Sequence, residues 1–177
     1  DREVITNFVG ELIQHDSSLH QWSPFSPVKW YLITSLDDYS RGLLFAGLFE
    51  RESSWAHIGA VESVISRYGA PLKYYPDQHS IFRYVRERDK FTPWHTAHKF
   101  TDEVDPQFKQ VLKDCGTELI YALSPQAKGK IERPYRWLQD RIVRTCAKDH
   151  ITEMKDAQRV LQELVYQYNH QWIHSTT

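Results

Sequence analysis

The chain is poor in cysteine. It has two in 177 residues, Cys115 and Cys146, and neither stands in a CxxC or Cys/His ligand spacing, which excludes a disulfide framework and a thiolate zinc site. Each reads better as a buried thiol, which suits a reducing cytoplasm. Long apolar runs are lacking as well. No stretch reaches the roughly 18 apolar residues that span a bilayer, so no membrane partner is expected, and no basic-then-apolar leader opens the chain. Internal repeats and low-complexity linkers are missing. So is an excess of charge of one sign: 22 Lys+Arg face 23 Asp+Glu, for a formal net charge of −1, whereas many nucleic-acid-binding domains are plainly basic. The chain opens at Asp1 without Met and closes on Gln171-Trp-Ile-His-Ser-Thr-Thr177. It reads as one domain, residues 1–177, excised from a longer protein.

What is present is enough for a packed core: 41% hydrophobic residues and 14% aromatic, over a length suited to one globular unit. Phe8 to His15 alternates around Val9, Leu12 and Ile13 and predicts a first strand ending near Asp16. Trp30 to Leu36 and Leu43 to Glu50 predict a second and a third, joined antiparallel through the turn Asp37-Asp38-Tyr39-Ser40-Arg41-Gly42. Ser53-Ser54 then offers an N-cap, and Trp55, Ile58, Val61, Val64 and Tyr68 recur at helical spacing up to the stop at Gly69 and Pro71. Leu72 to Tyr75 is a short strand delivering Asp77. A helix over Asp105 to Gly116, a strand over Glu118 to Leu123, a long helix with an Ile131-Tyr135-Leu138-Ile142-Cys146 stripe, and a last helix over about Thr152 to Trp172 complete the order β-β-β-α-β-α-β-α-α. Residues 78–103 mix charge, aromatics and His and fit no regular element. An irregular segment of that length is usually functional in a compact domain. Most of the six tryptophans read as core or interface residues.

Three acidic residues sit where strand ends and a helix start could converge: Asp16, Asp77 and Glu132. Such places carry chemistry in α/β sheets. Carboxylates and water are the oxygen donors that Mg²⁺ prefers, and two such ions about 3.5–4 Å apart serve phosphoryl transfer on nucleic acids. Asp37 and Asp38 are also acidic, but the Asp-Asp-Tyr-Ser-Arg-Gly context reads as a turn. His15 and His79 flank triad members, and a positioning or packing role suits them better than metal contact. Between Lys128 and Lys148, seven basic residues (Lys128, Lys130, Arg133, Arg136, Arg141, Arg144, Lys148) meet only Glu132 and Asp140. A local basic face is therefore possible on a chain neutral overall.

The stretch Ser124-Pro-Gln-Ala-Lys-Gly-Lys-Ile-Glu132-Arg133 resembles the P-x-x-x-G-x-x-E pattern of the integrase-core (DDE) family, which includes bacterial insertion-sequence transposases and retroviral integrases. Tyr75-Pro76-Asp77-Gln78-His79-Ser80 is similar to that family's second-Asp motif. Leu36-Asp37-Asp38-Tyr39-Ser40-Arg41 is similar to its hairpin turn, and Tyr168-Asn169-His170 to its last helix. The resemblance runs from about Gly10 to about His174. It implies an RNase H-like α/β fold, with a five-stranded mixed sheet and helices on both faces. It also implies that Asp16, Asp77 and Glu132 hold two Mg²⁺ (or Mn²⁺) and are catalytic, and that DNA, as transposon ends and target, is the substrate. One strand is cut to leave a 3′-OH, which then attacks a phosphodiester of target DNA. Gln126, Lys128, Lys130, Arg133 and Arg136 are the expected DNA-binding residues, and a homodimer or higher multimer the expected assembly, since two DNA ends must be paired. Many members have a shorter spacing between the second Asp and the Glu. Here residues 78–131 intervene, and the surplus is assigned to 78–103.

Two other readings stand beside this one. A nuclease of the same fold would cut without joining, but the Gln126–Arg133 motif is an integrase-core signature and not a general RNase H one. A non-catalytic DNA-binding or assembly module derived from a transposase would be expected to have lost a member of the triad, and all three are present.

Overall fold

Two antiparallel pairings and two parallel ones build the sheet. In the computed structural model, which describes residues 5–76, 106–120 and 129–172, β1 (Leu12–His20) pairs antiparallel with β2 (Trp30–Asp37), and β2 pairs with β3 (Leu43–Phe49) in the same sense. The chain then forms α1 (Ser54–Tyr68) and returns as β4 (Lys73–Pro76), parallel to β1 on its other side. After α2 (Pro106–Asp114), β5 (Glu118–Leu119) adds parallel to β4, giving the order β3-β2-β1-β4-β5. The long α3 (Gly129–Lys148) and α4 (Met154–Gln167) follow, and α4 ends in a π-helical turn over Tyr168–Trp172.

Each face of the sheet closes its own core. Ile13 and Tyr74 face α1 and α2 and pack with Val61, Phe108 and Leu112. Trp30, Leu32 and Leu36 of β2 face the other way, onto Leu138, Ile142 and Cys146 of α3 and Ala157, Leu161 and Leu164 of α4. Period-2 alternation along the strands divides the two sets. A bulge between Ser35 and Leu36 on the β2–β3 ladder shifts that alternation, so that Leu43 joins Ala46 and Leu48 in the α3/α4 core while Leu44 packs on the other.

Local chemistry fixes the ends. Ser53 caps α1 by accepting the Ala56 N–H, and Gly69, at φ 91°, ends it with its N–H donated to Ile65 O. At the edge strand β3, α4 and the π-helical turn after it supply substitute partners: Gln158 accepts from Leu48 N, Gln162 donates to Ala46 O, and Asn169 both accepts from Leu43 N and donates to Leu43 O. Backbone groups that would otherwise offer a pairing edge are thereby occupied.

Several boundaries differ from the sequence expectation. The first strand begins at Leu12, not Phe8, because Gly10 adopts φ 84° and Phe8 and Val9 are exposed before it. It also runs on to His20, which puts Asp16 in mid-strand rather than near its end. Cys146 is buried, its thiol pushed up to about 11 by burial and by the nearby Asp149. Cys115, however, is exposed, because it lies past the end of α2, beyond the buried Phe108 and Leu112. Trp22 and Trp30 are core residues, whereas Trp55 is 73% exposed. The 78–103 segment lies outside the described residues. Among the described residues no helix is long and apolar enough to cross a membrane.

The pair Asp37-Asp38 is a structural turn. Asp37 accepts from Gly10 N and Ser40 N, each at 2.7 Å. Asp38, fully buried, accepts from Thr6 Oγ1, Gln14 Nε2 and Arg41 Nη1. Replacing Asp38 with Asn leaves those donors short of acceptors and should cost roughly 1–3 kcal/mol, read as a fall in the urea unfolding midpoint with unchanged slope.

Candidate active site

Strand alternation sends His15 and Asp16 to opposite faces. His15 is 1% exposed and lies in the α1/α2 core, its ring stacked on Phe108 at 5.9 Å between centroids. Its pKa is held well below the ordinary 6.5 by burial and by the neighbouring His57. His15 thus sits in the core behind the sheet, on the face away from Asp16. His79 lies outside the described residues.

Asp16, half-buried, is on the face that carries α3. Its Oδ1 accepts the Ser17 N–H at 3.0 Å. Directly across the ladder from it stands Thr34, and Thr34 Oγ1 donates to Tyr135 Oη of α3 at 2.8 Å. Further along the same face of β1, His20 Nε2 lies 3.1 Å from Gln139 Nε2 of α3. Positions 132, 135 and 139 fall on one flank of an α-helix. Going back along that flank from Gln139 to Tyr135 leads from the His20 end of β1 to the level of Asp16, and the next position back is 132.

The backbone of Glu132 is thus in the first turns of α3, on the helix flank that meets Asp16's side of the sheet, while its side chain lies outside the described part. Asp77 lies outside the described residues. The residue before it, Pro76, ends β4 in register with His15. Of the DNA-contact candidates, Gln126 and Lys128 lie outside the described residues. Lys130 and Arg133 are in α3, with Arg133's side chain outside the described part, and Arg136 is exposed on that helix. Arg144 is paired with Asp140 at 2.8 Å, both exposed, and Arg141 lies 5.8 Å over the Trp137 ring.

Among the described residues no group of three or more His, Cys, Asp or Glu gathers in a metal-binding arrangement. Asp16 alone of the three expected carboxylates has a described side chain, and its hard oxygen donors on a half-buried strand face suit Mg²⁺ or Mn²⁺. Sequence reading gave no site role to Thr34, His20, Gln139 or His57, and placed Tyr135 only in the apolar stripe of its helix. Only the docking of helices onto the sheet brings these together, and no local motif announces it.

The geometry places the chain in a class. A solved human T-cell lymphotropic virus type 2 (HTLV-2) integrase catalytic core in complex with magnesium, in its dimeric form, superposes with TM-score 0.66 over 96% of this chain and 91% of that one at 14% identity. The bovine immunodeficiency virus (BIV) integrase core does so with TM-score 0.59 over 92% and 85% at 18% identity. The fold is RNase H-like, that of retroviral integrase cores. No protein-family model matches the chain. The y4bF protein of Sinorhizobium fredii, provisionally named a transposase, is 31% identical over 163 residues, or 92% of this chain. The transposase for insertion sequence IS1202 of Streptococcus pneumoniae is 30% identical over 169 residues, or 96%. The chain is thus similar over nearly its whole length to transposases and integrase-core-like in fold. It spans 34% of the length of each of these two relatives.

The depressed pKa of His15 carries a pH signature. In the unfolded chain His15 takes up a proton as pH falls through about 6.5, while in the fold it stays neutral to a lower pH. Stability should therefore fall below about pH 6.5 and be independent of this group above it. Denaturant midpoints measured from about pH 7 to 5 should decline less steeply in His15→Gln than in the wild type.

Proposed function

We propose that this domain is the catalytic core of a DNA transposase, cutting and joining strands at a site formed by Asp16, Asp77 and Glu132. The observation that carries the reading is the Thr34–Tyr135 hydrogen bond. It holds α3 against the strand position beside Asp16, one helical turn after Glu132. Pro76 in register with His15 supports the same reading, since Asp77 follows it directly. Three carboxylates from β1, the end of β4 and the start of α3 would hold two Mg²⁺ or Mn²⁺. When bound, those ions supply neutralisation of phosphate charge and stabilisation of the leaving oxygen.

The chain's own contribution is positioning. β1 offers Asp16 from mid-strand, where pairing with Thr34 of β2 restrains it one residue past the end of the β4 ladder at His15. The start of α3 is rich in basic residues: Lys130, Arg133 and Arg136 lie within two turns of Glu132. With Gln126 and Lys128 before the helix, they would meet the phosphates of transposon ends and target DNA. A net charge of −1 over the chain does not oppose this, because α3 itself carries six basic residues against two acidic ones. We place the working form as a homodimer or higher multimer acting on DNA in the cytoplasm.

In the full-length protein, Asp16→Asn and Glu132→Gln should each abolish strand cutting while leaving binding to transposon ends nearly unchanged. Gel-based cleavage and mobility-shift measurements read the two separately. Either variant cutting at the wild-type rate would remove the triad assignment.

A further inference from the structure

On the sheet face away from Asp16, five side chains from the strands, α1 and the residues before it form one line of hydrogen bonds. Tyr74 Oη of β4 donates to Ser35 Oγ of β2 at 3.3 Å, and Ser35 Oγ lies 2.9 Å from His15 Nδ1 of β1. His15 Nε2 lies 2.7 Å from His57 Nδ1 of α1, and His57 Nε2 lies 3.2 Å from Glu52 Oε1 just before that helix. Both imidazoles are 1% exposed, whereas the Glu52 side chain is 17% exposed. The line therefore runs from the core to the surface through otherwise apolar packing.

Counting protons gives the line a direction. An ionised carboxylate only accepts, so His57 Nε2 carries a proton and donates to Glu52. With one ring proton, His57 then offers Nδ1 as acceptor, and His15 Nε2 donates to it. His15 Nδ1 in turn accepts from the Ser35 hydroxyl, whose oxygen accepts from Tyr74. Each donor meets one acceptor, and every proton points towards Glu52. Bonds of this kind are directional in a way that apolar contacts are not. They fix β1 at residue 15 against β2, β4 and α1 together. Turning β1 there would turn Asp16, whose Cα is about 3.8 Å further on.

We propose that this line, anchored at its surface end by Glu52, positions Asp16 from the opposite face of the sheet, making His15, His57 and Glu52 positioning residues of the site. The proposal rests on the reading of Asp16 as a metal ligand. Glu52 is the place to test it, because it is partly exposed, outside both cores and across the sheet from Asp16. The experiment compares the wild-type chain with Glu52→Leu, Glu52→Gln and Asp16→Asn. Imidazole ¹⁵N NMR without metal reads the tautomers, and Mn²⁺ titration reads the site.

Both rings should be protonated on Nε2 in the wild type and in Glu52→Gln, whose amide oxygen still accepts. Glu52→Leu should lose that single pattern and bind Mn²⁺ on the order of 10-fold more weakly, the lower end of effects for groups that orient metal ligands. Glu52→Gln should restore affinity. Wild-type rings protonated on Nδ1 would overturn the proposal, as would a Glu52→Leu variant with unchanged tautomers and affinity. If the wild type binds Mn²⁺ and loses it in Asp16→Asn, yet Glu52→Leu binds equally well, the positioning role alone fails. If the wild type shows the expected tautomers but no saturable Mn²⁺ binding, the reading of Asp16 fails and takes the positioning role with it.

Discussion

The pleat of β1 is the constraint on which the rest depends. Successive side chains on a strand leave on opposite faces, so one residue step separates a fully buried His15 from a half-buried Asp16. A slip of one position in either ladder would exchange them, placing a carboxylate in the α1/α2 core. Pairing with β2 over Ile13–His20 and with β4 over Leu12–His15 opposes such a slip from both sides. So does the polar line through His15, whose partners lie on β2 and α1.

Around this strand the two faces have different work. One is closed by α1 and α2 over a small core that admits buried imidazoles only with their hydrogen bonds met, as burial of polar groups requires. The other carries α3 and α4, and among the described residues α3 makes polar contact with the sheet through Tyr135 on Thr34 and Gln139 on His20. Leu138, Ile142 and Cys146 supply the apolar area that holds α3 down, while the two polar contacts set its register along β1. At the far edge, α4 and the π-helical turn after it use Gln158, Gln162 and Asn169 to occupy the open side of β3. The edge that would invite another strand is thereby closed.

The likeness to retroviral integrase cores at 14–18% identity is one of fold. The likeness to insertion-sequence transposases at 30–31% extends over nearly the whole chain and a third of theirs. A family resemblance supplies motifs. The Thr34–Tyr135 contact supplies a physical reason why motifs far apart in the chain should meet.

Much of the fold was legible in the sequence. Alternation in Trp30–Leu36, the Ser53 cap, the Gly69 stop and the Ile131–Cys146 stripe are local patterns, and local patterns follow from backbone sterics and hydrogen bonding within a few residues. The Asp37-Asp38 turn was legible for the same reason. The start of β1 was misread because Phe8 and Val9 look like strand residues, yet a positive φ at Gly10 keeps them out of the sheet. Cys115 was misread because burial depends on where a helix ends relative to the core, not on residue type. The His15–His57 bond and the seating of α3 on Asp16's face join residues 42 to 119 positions apart. The sequence by itself determined which residues could form strands, helices, turns and metal-binding chemistry. The tertiary structure decided which of them meet, because register between strands and the docking of helices depend on contacts that no local pattern encodes.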